Sequence, residues 1–263
     1  MLSRAELVEV ASRFGVAEEQ VRRDHLISHL LRAIASLDLP VYFFGGTALA
    51  RTFITEPASG ARLSEDIDLH TSQRKHVAEI LDEALPRLVR REFPRSTWNP
   101  SLSSVKDVEP AQFVTSDYLK VRIQLLRSDG YAAWPYAIHS VDLRYSDLPA
   151  SVNLEVPTLP SFAGMKTGAW MDRHYSRDLY DLAALAKSGA LTSDAADLYY
   201  EVQGIPIAPH FFRDAPVDDW HTQLAHQTVD PGTPESARAS VTDAYGMVLG
   251  WDEERLQGSL LDE

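Results

Sequence analysis

The sequence predicts an α/β domain with a mixed sheet, followed by a mostly helical C-terminal part. Three observations carry this. Residues 41–70, VYFFGGTALARTFITEPASGARLSEDIDLH, read as strand, glycine turn, short helix, loop and second strand. One further helix and then strand-like segments follow as far as Val156. Beyond Val156-Pro157 and Leu159-Pro160 the pattern turns helical, and prolines at that joint mark a break. The expected domains are therefore 1–157 and 158–263.

Composition bounds the classes open to the chain. With 263 residues and 44% hydrophobic content it can bury a core as one large domain or two modest ones. No apolar run approaches the roughly 18 residues of a membrane span, and MLSRAELVEV lacks the features of a signal peptide, so the expected location is cytoplasmic, with no membrane. Zero cysteines exclude disulfides, thiolate metal sites and a cysteine nucleophile. The net charge of -13 argues against a protein that coats nucleic acid broadly. That acidity is concentrated: residues 201–263 hold 12 acidic and 3 basic residues.

In chain order, Val21, Leu26, Leu30 and Ile34 recur at helical spacing and predict an amphipathic helix over 17–36. Val41 to Phe44 is a β-favouring run that stops at Gly45-Gly46, and Thr47 opens the helix TALARTFI. Glycines there let backbone approach a ligand, and N–H groups at a helix start favour an anion such as phosphate. Arg51, one turn on, offers a fixed positive charge. In Glu65-Asp66-Ile67-Asp68-Leu69 the strand period of two puts Asp66 and Asp68 on one face. Two carboxylates so close repel unless a cation lies between them, and their oxygens suit magnesium.

SQRKHVAEILDEAL predicts the next helix, with Ser72 as its cap and Pro86 at its end or at a kink. Arg87, Arg90, Arg91 and Arg95 follow as a basic cluster, open to reading as a phosphate contact or as a solvated helix end. Residues 94–110 are turn-rich, and 118–125 alternate as a strand beside the Asp66–Asp68 strand. Shorter strands are expected at 141–145 and 152–156. In the helical part, Lys166 and Arg173 lie two turns apart and share a face that suits a triphosphate. Ser176 can cap the next helix, placing Asp178 and Asp181 on one face near its positive end. Those acids either serve chemistry or pair with Arg173 or Arg177. The nine histidines offer no metal-ligand spacing, and there is no GxSxG elbow, P-loop or repeat.

Two groups of residues together carry a resemblance. Gly45-Gly46-Thr47 with Leu49 and Arg51, followed by Arg62, Ser64 and Asp66-Ile67-Asp68-Leu69, resembles the opening motif of the AbiEii toxin family. Lys166, Ala169 and Arg173, followed by Arg177-Asp178, Asp181 and Leu182, resembles its later motifs. The family comprises MenT-like nucleotidyltransferases of the DNA-polymerase-β-like superfamily, toxins of type IV toxin–antitoxin systems. The interval from Thr47 to Asp66 is longer than that superfamily suggests, with the excess in TEPASGA.

The resemblance implies a polymerase-β-like domain whose active cleft is completed by the helical domain. It implies magnesium on Asp66 and Asp68, and an NTP held by Gly45, Gly46, Thr47, Arg51, Ser64, Lys166 and Arg173. Asp178 is then the group that orients or deprotonates the attacking hydroxyl, with Asp181 as its substitute, and Lys166 counts among the catalytic residues. The expected acceptor is the 3′ end of tRNA, which would block translation, with a separate antitoxin as partner and a monomeric toxin. Many superfamily members take a third carboxylate from the neighbouring strand; here Arg122 and Gln124 stand there, while Asp142 and Glu155 are weaker substitutes. The alternatives are a small-molecule, aminoglycoside-type nucleotidyltransferase and a nucleotide-binding interaction protein without turnover.

Overall fold

The computed structural model describes residues 1–213 and 218–251, so parts of the expected 158–263 segment lie outside the described residues. The chain forms two compact units, Met1–Thr55 with Arg62–Pro157, and Glu56–Ala61 with Thr158–Glu263. The excess segment noted in the sequence thus packs with the second unit.

The first unit is built on a seven-stranded mixed sheet. Its strands are β1 (Tyr42–Phe44), β2 (Asp66–Thr71), β3 (Thr97–Trp98), β4 (Ala111–Val114), β5 (Lys120–Arg127), β6 (Tyr136–Asp142) and β7 (Ser151–Pro157), in the order β3-β4-β5-β2-β1-β7-β6. β2 is central, antiparallel to β1 and parallel to β5, while β1 and β7 run parallel. Four helices belong to this unit: α1 (Arg4–Phe14), α2 (Glu18–Ala35), α3 (Gly45–Thr52) and α4 (Arg74–Leu88). The α2 positions Val21, Leu26, Leu30 and Ile34 are all buried, as are Phe43, Ile67, Val121 and Ile123 of the sheet. Burial of this apolar face supplies most of the driving force for the layer.

Several local expectations change. α3 begins at Gly45 rather than Thr47. Ser72 does not cap α4; the N-cap is Gln73, whose N–H donates to Thr71 Oγ1. Pro86 stands in the last turn of α4 and cannot donate to the carbonyl of Asp82. Trp98 Nε1 donates to that carbonyl at 3.1 Å instead, so the missing helical bond is replaced. β6 ends at Asp142, leaving 143–145 outside the strand.

The second unit is helical: α5 (Leu159–Arg173), α6 (Ser176–Lys187), α7 (Ser193–Gln203), α8 (Trp220–Leu224) and α9 (Pro234–Leu249). Thr158, Thr192 and Thr233 cap α5, α7 and α9 through their side chains. Ser176 is the first residue of α6 rather than its cap, and its hydroxyl donates to Asp219. Trp170, Trp220, Tyr199 and Tyr245 are fully buried and form much of the core. A Cβ built on Gly60 would lie 2.7 Å from the Ala184 Cβ, so the 56–61 segment needs glycine where it passes α6.

Candidate active site

Asp66 and Asp68 stand two apart on β2 and leave one face of the sheet, while Ile67 is buried on the other. Phe44 lies opposite Asp68, and Arg122 and Gln124 of β5 lie opposite Asp66 and Asp68. This register explains the glycine turn, because the chain leaves β1 directly beside the Asp68 carboxylate. A Cβ built on Gly45 would lie 2.2 Å from Asp68 Oδ2, and Gly45 has φ of 80°. The positive φ favours glycine, and any Cβ at this position would have to push the Asp68 carboxylate aside. Thr47 Oγ1 donates to the Asp66 carbonyl at 2.5 Å and fastens α3 to β2. No side chain caps the N-terminus of α3, whose first N–H groups suit an anion.

Arg122 answers the charge of this pair. Its Nε donates to Asp66 Oδ1 at 2.7 Å and its Nη2 to Oδ2 at 2.8 Å, a bidentate contact. The Asp66 carboxylate holds the guanidinium above its ordinary pKa. Gln124 Nε2 donates to the Val108 carbonyl at 2.8 Å. Asp66 and Asp68 thus offer hard oxygen donors on one face, which fits magnesium, with Arg122 as a competitor for Asp66.

Two residues expected at the nucleotide have other work in the structure. The Arg51 side chain is wholly buried, and its Nη2 donates to Asp24 Oδ1 at 2.8 Å while Nη1 donates to the Asp142 carbonyl at 2.8 Å. Arg144 Nη1 donates to the same Oδ1 at 2.9 Å, and Tyr145 donates to Asp24 Oδ2 at 2.9 Å. Burial would raise the Asp24 carboxyl, yet Arg144 and Arg51 outweigh it and hold the pKa below its usual value. Arg51 therefore joins α3, α2 and β6, because a desolvated guanidinium needs a carboxylate. Ser64 is buried, with its hydroxyl accepting from Arg62 Nη1 at 3.0 Å.

In the second unit the helical spacing brings Lys166, Arg173, Asp178 and Asp181 together. Lys166 Nζ donates to Asp178 Oδ1 at 3.1 Å and pairs with Asp181 Oδ2 at 2.6 Å. Arg173 grips Asp178 through Nε at 2.7 Å and Nη2 at 3.0 Å, and its guanidinium lies 5.0 Å from the Tyr175 ring centre. Lys166, Asp178 and Asp181 are buried, whereas the Arg173 side chain is 50% exposed. Burial would raise the Asp178 carboxyl, but Lys166 and Arg173 together hold it below the usual carboxylate value. Asp178 is thus an ionised acceptor. Arg87, Arg90, Arg91 and Arg95 are all exposed.

Comparison with known proteins agrees with this chemistry. The sequence profile of the family described as "Nucleotidyl transferase AbiEii toxin, Type IV TA system" matches residues 29–241. Among solved structures, the chain is similar to MenT4, a nucleotidyltransferase toxin from Mycobacterium tuberculosis H37Rv, at a TM-score of 0.67 and 16% identity, covering 100% of this chain and 95% of that one. It is also similar to a crystal structure from H. pylori described as a "putative nucleotidyltransferase", at a TM-score of 0.51 and 17% identity, covering 93% and 99%. At these identities the likeness shows the fold. No curated protein matches the sequence.

Proposed function

The chain belongs to the AbiEii family of type IV toxin–antitoxin nucleotidyl transferases, and from that premise we propose that it uses magnesium to move a nucleoside monophosphate from an NTP to the 3′ end of tRNA. A separate antitoxin would hold it in check. The observation that carries the reading is the Asp66–Asp68 pair set against the Gly45 turn, with an uncapped helix start beside it. Magnesium, when bound by Asp66 and Asp68, would neutralise charge on the triphosphate and on the leaving pyrophosphate.

The chain's own residues would do the rest. Backbone N–H groups at Gly45, Gly46 and Thr47 would hold phosphate oxygens. Arg173, the exposed cation of its cluster, and Lys166 are assigned to the triphosphate, while Arg51 and Ser64 are left out because of their internal bonds. The acceptor hydroxyl oxygen would bond to the α-phosphorus as the bond to the β-phosphate bridge breaks, releasing pyrophosphate. Asp178, kept ionised by Lys166 and Arg173, would accept a hydrogen bond from that hydroxyl, orient it and take up its proton as the new bond forms, with Asp181 fixing Lys166.

One observation favours a second reading. Arg122 occupies both oxygens of Asp66 where a third carboxylate would strengthen metal binding, which suits a protein that binds nucleotide without turnover. Incubating the full chain with magnesium, a tRNA pool and one labelled NTP at a time separates them. Label in tRNA supports the toxin; binding of NTP without pyrophosphate release supports the binder; pyrophosphate released only on a small acceptor would favour the aminoglycoside-type reaction.

A further inference from the structure

Away from the carboxylate pair, the first unit holds a second cluster with a different donor chemistry. His25 and His29 lie four apart on α2, so both imidazoles leave one side of the helix. Asp147, in the turn between β6 and β7, meets them there. His25 Nε2 is 3.1 Å from Asp147 Oδ1 and 3.2 Å from Oδ2, His29 Nε2 is 3.2 Å from Oδ2, and the two Nε2 atoms are 3.2 Å apart. The side chains of His25, His29 and Asp147 are 3%, 11% and 13% exposed. Phe93 packs on both imidazoles and Tyr145 on that of His25.

We propose that His25, His29 and Asp147 form a site for a divalent transition metal of the zinc type, separate from the magnesium assigned to Asp66 and Asp68. Three donor atoms at the corners of a triangle 3.2 Å on a side suit one ion. With bonds of about 2.0–2.1 Å the donor angles at that ion would be about 100°, close to tetrahedral and leaving a fourth position open. Imidazole nitrogen selects zinc, copper, nickel or iron, whereas magnesium takes oxygen ligands. Proton counting points the same way. His25 Nε2 has three polar atoms within 3.2 Å, and a ring nitrogen carries at most one proton, so hydrogen bonding accounts for part of the convergence only.

Two more charged groups stand at this site. The Met1 ammonium donates to Asp147 Oδ2 at 2.6 Å and lies 3.4 Å from Glu92 Oε2. A bound ion would take over the neutralising role that the ammonium plays at Asp147, with Glu92 as the further carboxylate on that side. The ion would tie α2 to the β6–β7 turn, whose Arg144 and Tyr145 already hold Asp24, the residue before His25.

The test is a zinc titration of the full chain, without a polyhistidine tag and stripped by chelator, against a chromophoric competitor. One equivalent should bind, and zinc should raise Tm in the wild type and in Asp68→Asn alike. His29→Gln and Asp147→Asn should each weaken zinc binding at least tenfold, and Asp68→Asn should leave it unchanged. Should both variants fail to fold, cobalt(II) added to the wild type decides: visible d–d bands of mixed nitrogen and oxygen ligation support the site. Absence of those bands, no zinc uptake by the wild type, or variants that bind zinc as tightly as the wild type would overturn it.

Discussion

Gly45 and Asp68 share less room than a side chain on the turn would need, and that makes the turn the most sensitive residue-scale feature of the site. Gly45→Ala would set a Cβ 2.2 Å from Asp68 Oδ2 at a φ of 80°. It should destabilise the chain by about 1–3 kcal/mol through backbone strain and displace the carboxylate, so transfer is lost even where the variant folds. Urea unfolding and a transfer assay check this, and wild-type activity in Gly45→Ala would sink it. Arg122→Gln should change stability by no more than about 1 kcal/mol, because the pair is partly exposed, and should lower the magnesium concentration for half-maximal activity. An unchanged magnesium requirement would show that Arg122 does not compete for Asp66. The facing of Asp66 and Asp68, and Arg122 beside them, were legible in the sequence because a strand has a period of two. The fate of Arg51 was not, since its partner Asp24 comes from another helix 27 residues away.

At the scale of elements, α2 does more than cover the sheet. Asp24→Ala would leave Arg51 and Arg144 buried without their carboxylate and should cost about 3–5 kcal/mol, read from denaturant midpoints. A decrease under about 1 kcal/mol would mean that the guanidiniums find other partners. Strand β2 carries a pH dependence at its far end. His70 is stacked against Tyr42 and Tyr131, contacts Ser128 Oγ at 3.0 Å and Tyr136 OH at 2.7 Å, and burial pushes its pKa down from 6.5 to about 4. A depressed histidine contributes stability that is complete above 6.5 and lost as pH falls toward about 4, because the unfolded chain takes up the proton first. His70→Gln should flatten the fall in unfolding midpoint between pH 7 and pH 5; parallel curves for the two proteins would refute the assignment. α2, β2 and the strand at 118–125 were legible from long periodic patterns. α1 went unmarked, and β3 and β4, of two and four residues, are too short for periodicity to show. The histidine reading changes: His25 and His29, four apart on the expected helix, were passed over because Asp147, which gives the spacing meaning, comes from a distant turn.

On the scale of the whole molecule, a chain of net charge -13 repels a polyanion at long range, so an RNA acceptor needs a local positive surface. The exposed Arg87, Arg90, Arg91 and Arg95 are the candidate for that surface. Replacing Arg90 and Arg91 together by glutamate should weaken tRNA binding and lower its salt slope by about 0.7–0.9 for each phosphate no longer neutralised, with NTP affinity kept. Equal weakening of both ligands, or of neither, would return the cluster to a solvated helix end. Membership in the toxin family was readable because the two motif groups stand in order across a hundred residues, whereas the grouping of 56–61 with the second unit depends on packing that leaves no local pattern. Whether the Asp66–Asp68 pair drives nucleotidyl transfer to tRNA is decided by following labelled NTP into a tRNA pool with wild type and Asp68→Asn side by side, each shown to be folded by its Tm. Magnesium-dependent labelling by the wild type is expected, and in Asp68→Asn a drop of orders of magnitude with Tm equal or higher as carboxylate repulsion is relieved. Wild-type labelling by Asp68→Asn, or no labelling of RNA by the wild type with any NTP, would refute that role for the pair.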